Sequence, residues 1–312
     1  MTGRTSYYEE KWGFCLTHRQ LESLADGEYE VVIDASLEPG ALTYAECRVQ
    51  GSGPGEFMVF THICHPGLAN DNASGLAVAT LLAQALRNEQ PRLSYRFVFA
   101  PATIGSITWL AGHADAARAL RGGLVIGLLG DPGALTYKRS RRGNAEVDQV
   151  AAHAVRELDA AARVVDYSPY GYDERQFGSP GFDLPVGRLT RSSNGEYAQY
   201  HTSDDNPSLM RVASLAQSIR AIAATLARID DNRRLRSTQP MGEPRLGKRG
   251  LFRSTGGSHP QDFEYALLWL LNQADGMHGV NDVAAASGLP AAVVRQAADA
   301  LLECGLVEPV DR

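Results

Sequence analysis

Fifteen residues, THICHPGLANDNASG from Thr61 to Gly75, gather two histidines, a cysteine, an aspartate and two asparagines. Neutral imidazole nitrogens and a carboxylate are the donor set that zinc takes. His62 and His65 stand three apart, and Asp71 follows just ahead of a helical pattern. One loop rarely closes a coordination sphere, so another ligand must come from elsewhere in the chain. The run YHTSDDN, Tyr200 to Asn206, supplies it in His201, with Asp204 and Asp205 placed to orient that ring. His62 or His65, Asp71 and His201 would make three protein ligands with a position left for water, the catalytic rather than the structural pattern of zinc. A single loop histidine is ordinarily a surface or capping residue. The spacing His–x–x–His…Asp–Asn at a strand-to-helix junction favours the metal. Cys64 as a nucleophile would need a base beyond the histidines already assigned, so it reads as a packed thiol.

These residues need elements to hold them. The runs YEVVID (29–34), EFMVFT (56–61), YRFVFA (95–100) and GLVIGLL (123–129) are strand candidates. From Asn72 a helix follows, with Val78, Leu81, Leu82 and Ala85 on one face. A longer one follows Asn206, carrying Leu209, Val212, Leu215, Ile219, Ile222, Leu226 and Ile229 at spacings of three and four. The alternation predicts an α/β sheet, with the long helix packed along it. The histidine loop then leaves the carboxyl end of a strand, where open α/β sheets place ligands. Asp71 lies at the positive end of a helix, which keeps a carboxylate ionised.

The chain of 312 residues suits one large α/β domain, residues 1–230, and a small satellite. Residues 231–258 are rich in Arg, Pro and Gly and read as a linker. In 259–312, QDFEYALLWLLNQADG aligns Phe263, Leu267, Leu270 and Ala274 on one stripe, and two further helical patterns complete a winged-helix module. Its presumed recognition helix, PAAVVRQAADALLEC, sets only Arg295 against Asp299 and Glu303. DNA binding leans on Lys and Arg, and the net charge is −6, so nucleic acid is not expected as a partner. The basic linker (Arg233, Arg234, Arg236, Arg245, Lys248, Arg249, Arg253) offers phosphate contacts, yet a packing or dimerising role for the module, making a homo-oligomer, is the stronger reading. Cys15, Cys47, Cys64 and Cys304 form no CxxC pair, which suits a reducing cytoplasm. No signal-peptide core or membrane-length apolar run is present, so no membrane partner is expected and the location is read as cytoplasmic.

Other charged runs offer substrate contacts. In YKRSRRG, Arg139 and Arg141 would share one face of a strand and clamp a substrate carboxylate; a solvated charged face is the alternative. In DERQFGSPGFDLPVG, Asp173, Glu174 and Arg175 are recognition candidates for an amine or acyl group, or a salt-bridged loop. Glu196 and Tyr197 lie close to His201 in sequence, and Glu196 suits an amine.

Five stretches together resemble a known family: SYYEEKWGFCL, THICHPGLANDNASG, APATIGSITWL, DERQFGSPGFDLPVG and GEYAQYHTSDDN. They resemble the zinc exopeptidase superfamily of aminopeptidases and glutaminyl cyclases, and more closely a bacterial aminopeptidase-like family with a C-terminal winged helix, found among polysaccharide or natural-product biosynthesis functions. The resemblance implies a mixed sheet flanked by helices plus a small winged-helix domain. It implies zinc held by Asp71, His201 and one of His62 and His65, with one ion rather than two. It also implies hydrolysis of an amide or peptide bond in a small aminoacyl or peptidyl substrate of a biosynthetic pathway. Asp131 falls near the strand end where the superfamily places a further acidic ligand. The closer family reads Pro–Glu–Thr–Ile–Gly–Ser where this chain has Pro101–Ala102–Thr103–Ile104–Gly105–Ser106. That glutamate is the expected general base or ligand, and a methyl group cannot accept a proton. The chain is therefore impaired, or another carboxylate (Asp131, Glu174 or Glu196) substitutes, or it is a non-catalytic binder of a ligand or partner. The family also has a longer N-terminal part with a small β domain, where here about six residues precede the first motif.

Overall fold

The computed structural model describes residues 9–34, 36, 38–65, 68–193, 195–251 and 261–310. The chain divides into two units, one of Met1–Ser52 and Glu56–Thr225, the other of Gly53–Gly55 and Leu226–Arg312.

Seven strands form the sheet of the first unit: β1 (Ala45–Val49), β2 (Glu56–His62), β3 (Ser94–Ala100), β4 (Leu120–Ile126), β5 (Thr136–Lys138), β6 (Arg163–Val165) and β7 (Val186–Thr190). Their spatial order is β1-β3-β2-β4-β7-β5-β6. β3, β2, β4 and β7 run parallel, while β1 and β5 join antiparallel, so the sheet is mixed. The parallel strands read as continuous apolar runs because both faces are covered, and β2 is buried from Phe57 to His62. The helices are α1 (His18–Glu22), α2 (Ser74–Glu89), α3 (Ile104–Gly112), α4 (Ala114–Ala119), α5 (Glu146–Leu158), α6 (Glu174–Phe177) and α7 (Val212–Asp231). One core cluster joins Met58, Phe60, Val98 and Val125 of the sheet to Trp109 of α3 and Phe177 of α6.

Four local expectations change. Tyr29–Asp34 is not a strand: it has no ladder partner, and Tyr29, Val31, Val32 and Ile33 are exposed. A run of β-forming residues makes a strand only where a neighbour completes its hydrogen bonds. β4 ends at Ile126 rather than Leu129, because Gly127 is pressed against Asn72 and Leu128 turns to a left-handed φ of 53°. On α2 the buried stripe is Val78, Ala79, Leu82 and Ala83, with Leu81 and Ala85 turned outward. After Asn206 a separate tight turn, Pro207–Leu209, is capped by the Asn206 side chain, and α7 starts only at Val212. Val212 is exposed, while Ile222, Leu226 and Ile229 of the expected stripe are buried along with Ser214, Ser218, Ala221 and Thr225.

The second unit holds α8 (Asp262–Gln273), α9 (Val280–Ser287) and α10 (Ala291–Glu303) with β8 (Arg234–Ser237), β9 (Asp275–Gly279) and β10 (Val307–Pro309), in the order β10-β8-β9, all antiparallel. This is a winged-helix arrangement. Leu267, Leu270 and Ala274 of the α8 stripe are buried with Val280, Val294 and Leu301, and Phe263 packs at the margin. Residues 231–258, read as a linker, supply the central strand. Leu235 and Leu246 enter the core, and strand alternation leaves Arg234 and Arg236 outside it. Residues 252–258 of that stretch, like Ser6–Tyr8 of the first family motif, lie outside the described residues. Among the described residues no helix is long and apolar enough to cross a membrane.

Candidate metal centre

Because β2, β3, β4 and β7 are parallel, their carboxyl ends share one edge of the sheet. From that edge come His62 at the end of β2, Ala102 just past β3, Asp131 past β4, and the segment carrying His201 after β7.

Between β2 and α2 the chain makes a wide turn, Ala69–Ala73, in which Asp71 and Asn72 leave helical backbone angles. Its own side chains fix it. Asn70 donates to Asp131 Oδ2 (3.0 Å) and accepts from the Gly130 amide (2.8 Å). Asn72 donates to Thr61 Oγ1 (2.8 Å) and to the His62 carbonyl (3.0 Å), and accepts from the Leu128 amide (3.1 Å). Ser74 donates to the Asn70 carbonyl (2.6 Å) and accepts from the Leu129 amide (3.0 Å). A Cβ at Gly75 would lie 2.5 Å from Asn72 Oδ1 and 2.6 Å from Thr61 Oγ1, so glycine is required there. Fully buried Asp205 accepts from the amides of Asn70 (2.7 Å) and Asp71 (2.9 Å). Asp205 thus clamps the aspartate's turn rather than orienting the His201 ring, and Asp204 is exposed.

The turn presents one buried carboxylate to three histidines. His62 Nε2 lies 2.7 Å from Asp71 Oδ1. His201 Nε2 and His65 Nε2 lie 3.0 and 3.6 Å from Asp71 Oδ2. Ligand atoms of His65, Asp71 and His201 fall within 4.8 Å of one another, the one such group among the described residues that could hold a metal ion. His65 joins this cluster, whereas His62 holds the other oxygen of Asp71. Burial works to raise the Asp71 pKa, but hydrogen bonds and charge from His62 and His65 override it and hold the carboxyl well below the usual range. Asp71 in turn raises the His65 pKa, against the opposing effect of burial. Asp71 Oδ2, 3.0 Å from His201 Nε2, and His65 Nδ1 are buried atoms without a well-aligned hydrogen bond. Two imidazoles and a carboxylate with an oxygen so placed fit zinc, and three protein ligands leave a coordination position open.

Stacked rings bracket the cluster. Tyr172 lies flat on His62 (centroids 4.9 Å apart, 18° between planes) and Tyr200 on His201 (4.0 Å, 14°). The two phenol oxygens are 3.2 Å apart. Burial raises both, Tyr200 to about 12 and Tyr172 well above the ordinary phenol, so both keep their protons at neutral pH. Nothing in the spacing of Tyr172 and Tyr200 signals this pairing, which depends on how α6 folds back to the strand edge.

Ala102 lies at the same edge, with its backbone against Cys64. Cys64 is exposed rather than a packed thiol; desolvation, followed by the charges of Asp71 and Asp173, pushes its pKa up, the reverse of an activated nucleophile. The other anticipated substrate contacts are engaged with the chain itself. Asp131 is buried and accepts from Asn70, Gly133 (2.7 Å) and Ser192 (2.6 Å). Arg141 pairs with Asp183 (2.6 Å), and Arg139 reaches Asp166 (3.6 Å) and the Gly143 carbonyl (3.1 Å). β5 ends at Lys138, so strand alternation does not apply to the arginines. Glu174 is buried on Lys138 (2.9 Å) and the Tyr172 amide (3.1 Å), and Arg175 donates to the Pro169 carbonyl (3.4 Å). Glu196 takes both oxygens to Arg163 (2.9 and 2.8 Å), and Tyr197 donates to Asp205 (3.4 Å). Asp173 is 0% exposed, and neither oxygen has a hydrogen-bond partner. Desolvation lifts its pKa to about 7, against partial compensation from Ser106, His62 and Arg175.

A mixed sheet with this connectivity and a His/Asp cluster at its carboxyl edge defines an aminopeptidase-like fold. The zinc aminopeptidase of Bacillus subtilis shares it at 14% identity over 60% of this chain and 50% of that one, with a TM-score of 0.52. So does a glutaminyl cyclase from an Acidobacteriales bacterium, at 18% identity over 60% and 73%, with a TM-score of 0.51. The chain belongs to the family described as a domain of unknown function (DUF4910), matched over residues 16–232, and residues 233–309 match a winged helix-turn-helix family. A Clostridium acetobutylicum protein, provisionally named for polysaccharide biosynthesis with an aminopeptidase-like domain, is 44% identical over 98% of this chain and 70% of its own length. A crystal structure from the same organism, provisionally named a peptidase, superposes with a TM-score of 0.78 at 42% identity, covering 98% of this chain and 69% of that one.

Proposed function

We propose that the first unit is a zinc-dependent hydrolase of the aminopeptidase type, acting on an amide or peptide bond of a small aminoacyl or peptidyl substrate. The observation that carries this reading is the convergence of His65, Asp71 and His201 within 4.8 Å, with Asp71 Oδ2 buried and without a well-aligned hydrogen bond. A zinc ion bound there supplies Lewis-acid polarisation of a carbonyl and lowers the pKa of water. The protein's own part is positional: His62 fixes one oxygen of Asp71 so that the other faces His65 and His201, and Asp205 holds the backbone beneath. The name of the Clostridium relative supports a place in biosynthesis. The winged helix is proposed as an accessory rather than a DNA reader. Its acidic α10 already pairs Asp299 with Arg233 (2.7 Å), and Arg295 faces Asp231 (3.8 Å).

A second reading, a protein that binds such a molecule without cleaving it, is favoured by one residue: Ala102 carries no carboxylate. Zinc content per chain, measured on protein purified without chelator beside His201→Ala, tests the first reading. Near-stoichiometric zinc that the substitution abolishes is expected. A chain that takes up no zinc even when it is supplied would overturn the hydrolase assignment.

A further inference from the structure

Position 102 lacks its carboxylate, and Asp131, Glu174 and Glu196 all have their oxygens engaged by donors of the chain. Asp173 differs from them. Among the described residues it is the carboxyl group with both oxygens buried and bonded to nothing. Leaving such a group unpaired is costly, and unpaired buried carboxyls of this kind are concentrated where function requires them.

Its neighbours locate it. α6 packs on α3, and Ser106 in the first turn of α3 is the group that most favours the Asp173 charge, followed by His62 of β2. The thiol of Cys64 lies against the Ala102 backbone and also feels Asp173. Tyr172, the residue before Asp173, stacks on His62, which places Asp173 beside the strand edge that carries His62. The charged groups on its own helix are Glu174, engaged by Lys138, and Arg175.

We infer that Asp173 is the proton-accepting carboxyl of this chain, serving in place of the residue absent at 102. This rests on the hydrolase reading. As water oxygen bonds to the substrate carbonyl carbon, the Asp173 carboxylate takes the proton that the water releases. The carbon–nitrogen bond then breaks, the proton passes to the leaving amine, and the carboxylate is restored. Water and amide are consumed, and acid and amine are formed. A carboxyl whose proton affinity lies near neutrality suits this exchange.

The test uses the full zinc-loaded chain and a chromogenic aminoacyl anilide, followed across neutral pH. Asp173→Asn should lower kcat/KM by about 100-fold or more and abolish the acid limb of the pH profile. In an Ala102→Glu background the same change should cost less than about tenfold, since the two carboxylates then serve one role. Equal losses in both backgrounds would mean a structural role and overturn the inference. So would an inert native chain beside an active Ala102→Glu chain, an outcome that leaves the hydrolase reading standing. If neither turns over with zinc bound, that reading fails and the inference with it. Infrared difference spectroscopy of the metal-free protein gives a readout apart from activity. A protonated-carboxyl band should titrate near neutrality and vanish in Asp173→Asn; no such band would refute the assignment. Melting temperature gives another. A folded pKa above the unfolded value means that the native state loses stability as pH rises toward it, so Asp173→Asn should melt higher than the native chain above neutral pH.

Discussion

The turns that leave the neighbouring strands β2 and β3 differ in how much of their chemistry is in place. After β2, nearly every polar atom from Asn70 to Ser74 has a partner, and the exception, Asp71 Oδ2, faces two imidazoles. After β3, the chain keeps the residues around position 102 but offers a methyl group to the site. On the proposed reading the first turn holds the metal, while the second carries no carboxylate of its own to move a proton.

Restoring the second turn should have the largest effect. In the Asp173→Asn background, Ala102→Glu is expected to raise hydrolysis of an aminoacyl anilide by about 10². No gain at full zinc occupancy would show that position 102 was never the missing element. Disturbing the first turn comes next. Asp205→Ala leaves the Asn70 and Asp71 amides buried without acceptors, so zinc affinity should fall by about 10- to 100-fold. Unfolding free energy should drop by about 3 kcal/mol on the same change; competition with a chromogenic chelator and urea unfolding measure the two. Gly75→Ala forces a methyl against Asn72 and Thr61 and should cost about 1–3 kcal/mol, seen as a lower melting temperature. The smallest effect belongs to a pair remote from both turns. Asp183→Asn removes an exposed ion pair with Arg141 and should cost no more than about 1 kcal/mol. The Arg141 hydrogen bond depresses the Asp183 pKa, so this contribution exists above the unfolded value and disappears as pH falls through the folded one. Native and variant stabilities should therefore converge in acid.

Much of the first turn was legible in the sequence because its hydrogen-bonding residues are contiguous. Asn, Asp, Asn, Ser and Gly within six positions announce a turn that satisfies itself, and His62 and His65 flank it. The choice between those histidines was not legible. It depends on which ring meets His201, and more than a hundred residues separate that partner from the loop. Asp205 shows the same limit in reverse. Its nearness to His201 suggested an orienting role, but the fold turns it onto the backbone of Asn70 and Asp71. Glu174 and Asp173 are adjacent and chemically alike, yet one meets Lys138 and the other meets nothing. No pattern in DERQFGSPGFDLPVG separates them, since burial on opposite sides of a single helical turn is decided by tertiary packing. The strand expected at 29–34 failed for a related reason, because local propensity cannot supply a neighbouring ladder.

The mesh around Asp71 draws its bonds from Thr61, His62, the 128–131 backbone and Asp205. An alanine side chain at 102 has no atom able to join it. The mesh therefore forms without any contribution from the side chain at that position. On the proposed reading, a substitution at 102 acts on proton transfer and leaves the bonds that hold Asp71 in place.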